Sequence, residues 1–297
     1  MDLESLVVAI YTIVDDWIKD NPRLCARRGP GRPVVFSDSE VLTLAILSQY
    51  PRWRSERDFW RFADVYLREY FPNLVSQGQL NRRIRALESE LKTLQHDLAC
   101  ILADGSEIYR VLDTTLIPAI VRVRACRKGL FAGQAAFGRC ASKTEWVYGF
   151  KVALSVSPEG VITSFGLAEA NCDERPVGEF LLKLDGHDTY LADKGFSSAT
   201  WERHWLQTYG AEVVATPQKS AHRAWPIEAC KWASGKRQIV EGVIDQLKDV
   251  FCLDRHRTKT LEGLLTRLAA KVAAYTVGQV LNFGLGRPLR RLADLLI

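Results

Sequence analysis

The chain has 297 residues, of which 47% are hydrophobic and 25% are charged. These proportions are close to those of soluble globular proteins, and they exclude a disordered, collagen-like or low-complexity chain. Lys and Arg number 40 against 35 Asp and Glu, and this net charge of +5 indicates a polyanionic partner only where it is concentrated. The seven cysteines include no Cys-x-x-Cys pair, which favours a reducing compartment over a disulfide framework or a zinc site.

The first hundred residues have the spacing of helices. Apolar residues recur at steps of three and four, and Ser37 with Glu40 and Ser76 with Gln79 form two capping-box sequences. The predicted helices cover residues 3–19, 41–47, 59–70 and about 76–101. We therefore predict an all-α N-terminal domain over residues 1–103.

After residue 104 the pattern changes to short strands that alternate with helices. The predicted strands are 108–113, 146–156, 161–168, 189–192 and 212–215, and the predicted helices are 175–184, 198–208, 236–251 and 259–283. Three leading strands followed by alternation predict an α/β fold, a mixed sheet flanked by helices. We expect this second domain, residues 104–297, to contain a basic insertion at 122–145 and to include the C-terminal helix.

Two aspartates are predicted to end buried strands. Asp113 follows Val111 and Leu112, and Asp193 follows Leu191 and Ala192. A carboxylate in this position lies at the rim of the sheet, where α/β folds bind their ligands. Either aspartate could equally be a capping or turn residue.

A third carboxylate, Glu241, lies on a helix face that also carries Arg237, Asp245 and Lys248. Alone, this face would be explained by surface ion pairs. Together, the three carboxylates offer hard oxygen ligands for two Mg²⁺ or Mn²⁺ ions, which could activate an attacking oxygen and stabilise a leaving one in phosphoryl transfer. A pair of acids would also suit glycoside hydrolysis, but that alternative leaves the basic neighbours unexplained.

Positive charge is concentrated in four clusters. The largest, residues 122–151, has seven Lys and Arg against one acid. The others are Arg255 to Lys259, Arg82 with Arg83 and Arg85, and Arg52 to Arg61 with interleaved aromatic residues. A single charge run is usually a solvated face, but four of them favour a polyanion, and the helix with Arg82 could enter a major groove.

Three segments in this order resemble the acidic signatures of the DDE transposases of bacterial insertion sequences. They are Val111-Leu112-Asp113-Thr114, then Leu191-Ala192-Asp193-Lys194-Gly195-Phe196, and finally Arg237, Glu241 and Lys248 at spacings of four and seven. The basic tail from Arg255 to Lys271 is also similar, and the resemblance covers about residues 36–285. Ser234 departs from the tyrosine of some relatives, which affects the subgroup and not the acidic residues.

The resemblance implies a ribonuclease-H-like catalytic domain that cleaves transposon ends with Mg²⁺ or Mn²⁺ and transfers the freed 3′-OH to target DNA. It implies that Asp113, Asp193 and Glu241 converge as catalytic metal ligands for two ions. The residues expected to contact DNA are Arg82, Arg83, Arg122, Arg124, Arg127, Lys128, Lys194, Arg237, Lys248, Arg255 and Arg257. We expect a homodimer on DNA, since two ends are joined in concert, a cytoplasmic location at the bacterial nucleoid and no membrane partner.

Three alternatives stay open at this point. The chain could be a metal-dependent nuclease of the same fold that cuts without joining, or a non-catalytic DNA-binding protein derived from a transposase. In the third, the acids only cap helices and form ion pairs. Asp173 is expected to be a helix N-cap and not a fourth metal ligand.

Overall fold

The structure is a computed structural model that describes residues 1–22, 35–50, 53, 55–103, 105–121, 125, 129–140, 145–217 and 225–295. Contacts between residues divide the chain into two units. The helical unit consists of residues 1–98 and 249–297, and the sheet unit consists of residues 99–248. No helix within the described ranges is both long and apolar enough to cross a membrane.

The elements follow one another in the order that the sequence pattern predicts, with some additions. They are α1 (Leu3–Asp20), α2 (Asp38–Leu47), α3 (Glu56–Tyr66), α4 (Gln77–Ala86), α5 (Glu88–Leu102), β1 (Arg110–Pro118), β2 (Ala136–Cys140), β3 (Glu145–Val156), β4 (Ile162–Glu169), α6 (Glu174–Asp185), β5 (Thr189–Ala192), α7 (Ala199–Tyr209), β6 (Glu212–Ala215), α8 (Ile227–Asp249) and α9 (Leu261–Gly284). Short 3₁₀ turns follow β5, α8 and α9.

Helix α2 is the centre of the helical unit. Its residues Val41 to Leu47 are all buried, because this helix is apolar on every side and must be covered by others. Helices α1 and α9 both pack against α2, and α9 also contacts α4. The C-terminal helix, which the sequence analysis assigned to the catalytic domain, therefore makes its contacts with the N-terminal helices.

The predicted N-terminal helices are confirmed, with two changes of extent. Helix α3 ends at Tyr66 and not at residue 70. The single long helix predicted from residue 76 is two helices, α4 and α5, which are separated at Leu87. The apolar stripe continues through Leu87, which is buried, so the periodicity of the sequence does not reveal the break.

The sheet unit contains the predicted mixed sheet. Among the described residues its strand order is β2-β3-β1-β5-β6, and β4 also pairs with β3. Strand β3 pairs antiparallel with both β1 and β4, whereas β5 pairs parallel with both β1 and β6. Strand β2 lies inside the predicted basic insertion and was not predicted. At Gly138 of β2 a side chain would overlap the carbonyl oxygen of Ala170, so the two backbones approach closely there.

The core of the sheet unit lies between the sheet and helices α6 and α7. Trp205 of α7, Tyr190 of β5 and Phe196 are fully buried within it. Both helices end at a glycine in the left-handed conformation, Gly186 with φ 64° and Gly210 with φ 68°, which turns the chain into the next strand. The short connections after the two helices lead into β5 and β6, which pair with each other in parallel.

A buried ion pair joins β1 to the end of α6. Nη1 of Arg110 lies 2.6 Å from Oδ1 of Asp185, and the hydroxyl of Ser155 donates to Oδ2 at 2.6 Å. The Asp185 side chain is only 1% exposed. A carboxylate at this depth depends on its cation, because burial of an unpaired charge is strongly unfavourable.

We expect Arg110→Leu to lower the free energy of unfolding by about 3 kcal/mol, because it leaves Asp185 buried without its cation. The double variant Arg110→Leu with Asp185→Leu should be closer to the wild type than the single variant is. Urea unfolding at pH 7 measures both values. A double variant that is less stable than Arg110→Leu alone would contradict this account.

Candidate active site

The parallel pairing of β1 with β5 sets two aspartates side by side. The register aligns Leu112 with Ala192, so the next residues on the two strands are Asp113 and Asp193. The sequence analysis ended the first strand at Asp113, which was wrong, because β3 provides hydrogen-bond partners for β1 as far as Pro118. On its other side, β1 pairs with β5 only as far as Leu112, so Asp113 is the first residue of β1 beyond this pairing.

Arg237 of α8 bridges the two aspartates. Its Nη1 is 3.0 Å from Oδ1 of Asp193, and its Nη2 is 3.8 Å from Oδ2 of Asp113. The guanidinium side chain is 11% exposed, and no described residue accepts a hydrogen bond from its buried Nε. The sequence analysis assigned Arg237 to DNA, whereas in the structure its nearest partners are the carboxylates.

Asp113 is the more buried of the two aspartates. Burial raises the pKa of Asp113 to about 6, and the negative charges of Asp193 and Glu174 also raise it. The backbone N–H of Thr114, which donates to Oδ1 at 2.7 Å, and the Arg237 guanidinium lower this pKa. The result is a carboxyl group in a desolvated position, where its charged form is less favourable than in water.

Glu241 lies one turn beyond Arg237 on α8, and its side chain is exposed. Helix α8 begins at Ile227 and is longer than predicted, but Arg237 and Glu241 keep the expected spacing. Among the described residues, no three His, Cys, Asp or Glu side chains form a group that could hold a metal ion. The structure thus brings Asp113 and Asp193 together through Arg237, and Glu241 remains a predicted ligand on the same helix.

A fourth carboxylate, Glu174, also lies at this site and was missed from the sequence. Its Oε1 accepts a hydrogen bond from the Thr114 hydroxyl at 3.0 Å, and Nζ of Lys151 is 3.9 Å away. Its Oε2 lies against Gly195, where a Cβ would overlap it. Glu174 therefore connects β1 to the turn that follows Asp193.

The neighbouring Asp173 is the N-cap of α6, as predicted, since its side chain accepts from the backbone N–H of Arg175 at 2.9 Å. The N-cap pattern draws attention to Asp173, and Glu174 is simply the next residue of the helix. The sequence alone does not show whether a carboxylate at the first position of a helix contacts other parts of the fold or faces solvent. Only the tertiary contacts with Thr114 and Gly195 identify Glu174.

The basic residues predicted to contact DNA have different surroundings. Arg83 pairs with Asp38 at 2.6 Å, donates to the carbonyl of Phe36 and lies over the Phe36 ring, so it is engaged within the fold. Lys248 is half-buried, while the exposed members are Arg82, Lys194, Arg255 and Arg257. The predicted contacts Arg122, Arg124, Arg127 and Lys128 lie outside the described residues.

The sequence matches a model of a known protein family. A family model described as a transposase DDE domain matches residues 104–261, which is more than half of the chain. The matched segment contains Asp113, Asp193 and Glu241, together with Arg237 and the basic residues Arg255 and Arg257. No curated protein matches the sequence.

The raised pKa of Asp113 predicts a dependence of stability on pH in the metal-free protein. Its folded-state pKa of about 6 is above the unfolded value, so its contribution to stability is present at low pH and lost as pH rises through 6. Between pH 4 and pH 7.5 in EDTA, we expect the wild type to lose roughly 2 to 3 kcal/mol of unfolding free energy relative to Asp113→Asn. Urea unfolding measures this difference, and parallel stability curves for the two proteins would contradict it.

The contact between Glu174 and Gly195 predicts that the effect of Gly195→Ala on stability depends on whether Glu174 is present. Gly195→Ala should lower the free energy of unfolding by about 1 kcal/mol, because Glu174 must leave its hydrogen bond with Thr114. In a Glu174→Ala background the same substitution should have little effect. Gly235→Ala is the control, because Gly235 lies in α8 with open space around its Cα. Equal losses in both backgrounds would show that Glu174 is not the obstacle.

Proposed function

Because the chain belongs to the family of transposase DDE domains, which are nucleic-acid-processing enzymes, we propose that it is a transposase that cleaves DNA at transposon ends and joins the freed ends to target DNA. The observation that carries this proposal is the pairing of Asp113 and Asp193 on adjacent parallel strands, inside the matched segment. Arg237 reaches this rim from α8, and Glu241 lies one turn further along the same helix.

The sheet supports a ribonuclease-H-like catalytic domain. Three antiparallel strands, β4, β3 and β1, are followed across the sheet by two parallel strands, β5 and β6. This is the mixed arrangement that the family resemblance led us to expect. We assign catalysis to the sheet unit and the holding of transposon-end DNA to the helical unit, which includes α9.

The residues at the rim suit a divalent cation. Asp113 and Asp193 present carboxylate oxygens to one guanidinium group, so a positive charge already lies between them. Glu241 is about 6 Å along the helix axis from Arg237, at a rise of about 1.5 Å per residue. Asp113, Asp193 and Glu241 would hold two Mg²⁺ or Mn²⁺ ions, and bound ions supply Lewis-acid activation of an attacking oxygen and stabilisation of a leaving oxygen.

In this proposal the basic side chains near the aspartates bind DNA phosphates. Arg237 exchanges its carboxylate partners for a DNA phosphate, because its fork of N–H donors matches phosphate oxygens. Lys194 lies in the turn directly after Asp193, and Lys248 lies two turns beyond Glu241, and in this proposal each contacts phosphate groups near the reacting bond. Glu174 keeps Asp113 and the turn after Asp193 in register through Thr114 and Gly195.

The test is a strand-transfer assay with DNA that carries the ends of the transposon. With Mg²⁺, Asp113→Asn and Glu241→Gln should each reduce joining by at least about 10³-fold while end binding persists, because each removes an oxygen ligand. Asp245→Asn is the matched control, since Asp245 is exposed one turn beyond Glu241 on α8 and should retain wild-type joining. EDTA should abolish the joining activity of the wild type.

Full joining by either ligand variant, or joining that EDTA does not affect, would overturn the proposal. Cleavage without joined products would identify a nuclease of the same fold, and DNA binding without cleavage would identify a non-catalytic relative. Light scattering of the end-bound complex tests the proposed homodimer, and one protomer per synapsed pair of ends would contradict it.

A further inference from the structure

The helical unit contains a cavity of about 600 Å³ that the proposed chemistry does not use. The end of α2, the start of α3, helix α4, the segment 251–260 and the first three turns of α9 surround it. Its volume exceeds what a single small ion needs. It is large enough for a nucleotide-sized group, because ligand pockets begin at about 300 Å³.

The charge of the lining is strongly positive. Seven Lys and Arg side chains from four separate parts of the chain line it: Arg57, Arg85, Arg255 with Arg257 and Lys259, and Arg267 with Lys271. Among the described lining residues the single carboxylate is Glu56, and it already accepts hydrogen bonds from Arg267 and from the amide of Asn81. Three of the basic clusters recognised in the sequence therefore meet around one cavity whose described lining has one carboxylate.

The deepest cations are Arg267 and Lys271, one turn apart on α9. Lys271 is 5% exposed, and its Nζ donates to the carbonyl of Phe251 but forms no ion pair with a described carboxylate. Burial lowers the pKa of Lys271 to about 7, and the positive charge of Arg267 contributes to this shift. Burial also lowers the pKa of Arg267 to about 10. Glu56 pairs with Arg267, whereas Lys271 forms no ion pair with a described carboxylate, and a buried ammonium without an anion is costly.

We propose that this cavity binds phosphate groups of a DNA strand, with Lys271 and Arg267 as the innermost contacts. The proposal rests on the proposed function, since it takes DNA as the substrate. Lys271 and the half-buried Arg267, which also pairs with Glu56, would engage one phosphate, while the exposed Arg85, Arg255 and Lys259 would engage its neighbours along the strand.

The distribution of the cations favours a strand over a small free anion. A small anion would be satisfied by Lys271 and Arg267 alone, whereas the basic residues here continue from the interior to the exposed rim. A phosphodiester chain carries one negative charge per nucleotide and could follow these positive charges out of the cavity. The half-buried Trp53 also lines the cavity and offers an apolar surface beside the phosphates, and its ring packs on the buried Phe59 with the ring centroids 4.8 Å apart.

The experiment measures DNA affinity of the full chain at several salt concentrations, by fluorescence anisotropy with a random-sequence 30-base-pair duplex and its single strand. Lys271→Met keeps the length of the side chain and removes its charge. Lys92→Met is the matched control, because Lys92 is an exposed lysine of α5, paired with Glu88, that does not line the cavity. Arg85→Gln, on the exposed surface of α4, tests the same cavity should Lys271→Met fail to fold.

We expect Lys271→Met to bind one or both DNA forms about tenfold more weakly at 100 mM salt. The slope of log affinity against log salt should fall by about one, which corresponds to one lost phosphate contact. Arg85→Gln should reduce the slope similarly, and Lys92→Met should not. A melting temperature of Lys271→Met no lower than that of the wild type would show that its fold is retained.

The proposal is overturned if Lys271→Met and Arg85→Gln bind DNA with the affinity and salt slope of Lys92→Met. It is also overturned if inorganic pyrophosphate raises the melting temperature of the wild type but not of Lys271→Met, while DNA affinity is unchanged, since the cavity would then take a free phosphate compound. Loss of joining in Asp113→Asn would leave the transposase proposal standing in either case. Absence of DNA binding by the wild type would overturn both.

Discussion

One guanidinium group holds together two carboxylates that would otherwise repel each other. Asp113 and Asp193 are adjacent because their strands are parallel, and Asp113 is largely buried, so their negative charges are poorly screened by water. Arg237 neutralises them and thereby fixes α8 against the rim of the sheet. The same contact determines which face of α8 is directed to the aspartates, and it keeps Asp113 and Asp193 close together.

Some basic side chains of this chain form ion pairs within the fold, whereas others line a cavity or face solvent. Neighbouring positions in the sequence do not predict which of these a basic residue does. Arg83 and Arg85 are two residues apart on α4, so they point to different sides of the helix. Arg83 is engaged with Asp38, whereas Arg85 lines the cavity of the helical unit. On α9, Arg267 is paired with Glu56, while Lys271 of the same helix is not paired with a described carboxylate. Counting basic residues in a cluster therefore overestimates the surface available to DNA.

The sequence predicted the parts of this fold that depend on local pattern. Strands β3 to β6 and helices α6 and α7 have clear periodicity and turn residues, and the pattern placed Asp113 and Asp193 at the rim of the sheet, but the parallel pairing of their strands is seen only in the structure. Strand β2 was missed because it is short and exposed inside a charged segment, and its pairing with β3 is a tertiary feature. The bridge by Arg237 and the contacts of Glu174 were missed for the same reason, since both depend on how helices pack on the sheet.

The division of the chain has a consequence during synthesis. The sheet unit is continuous in sequence, whereas the helical unit needs both ends of the polypeptide. The ribosome therefore synthesises all six described strands before α9, and the apolar α2 is not covered by α9 until that helix has been made. A product truncated near residue 250 would have the aspartate pair but no complete helical unit, and it would lack half of the walls of the basic cavity.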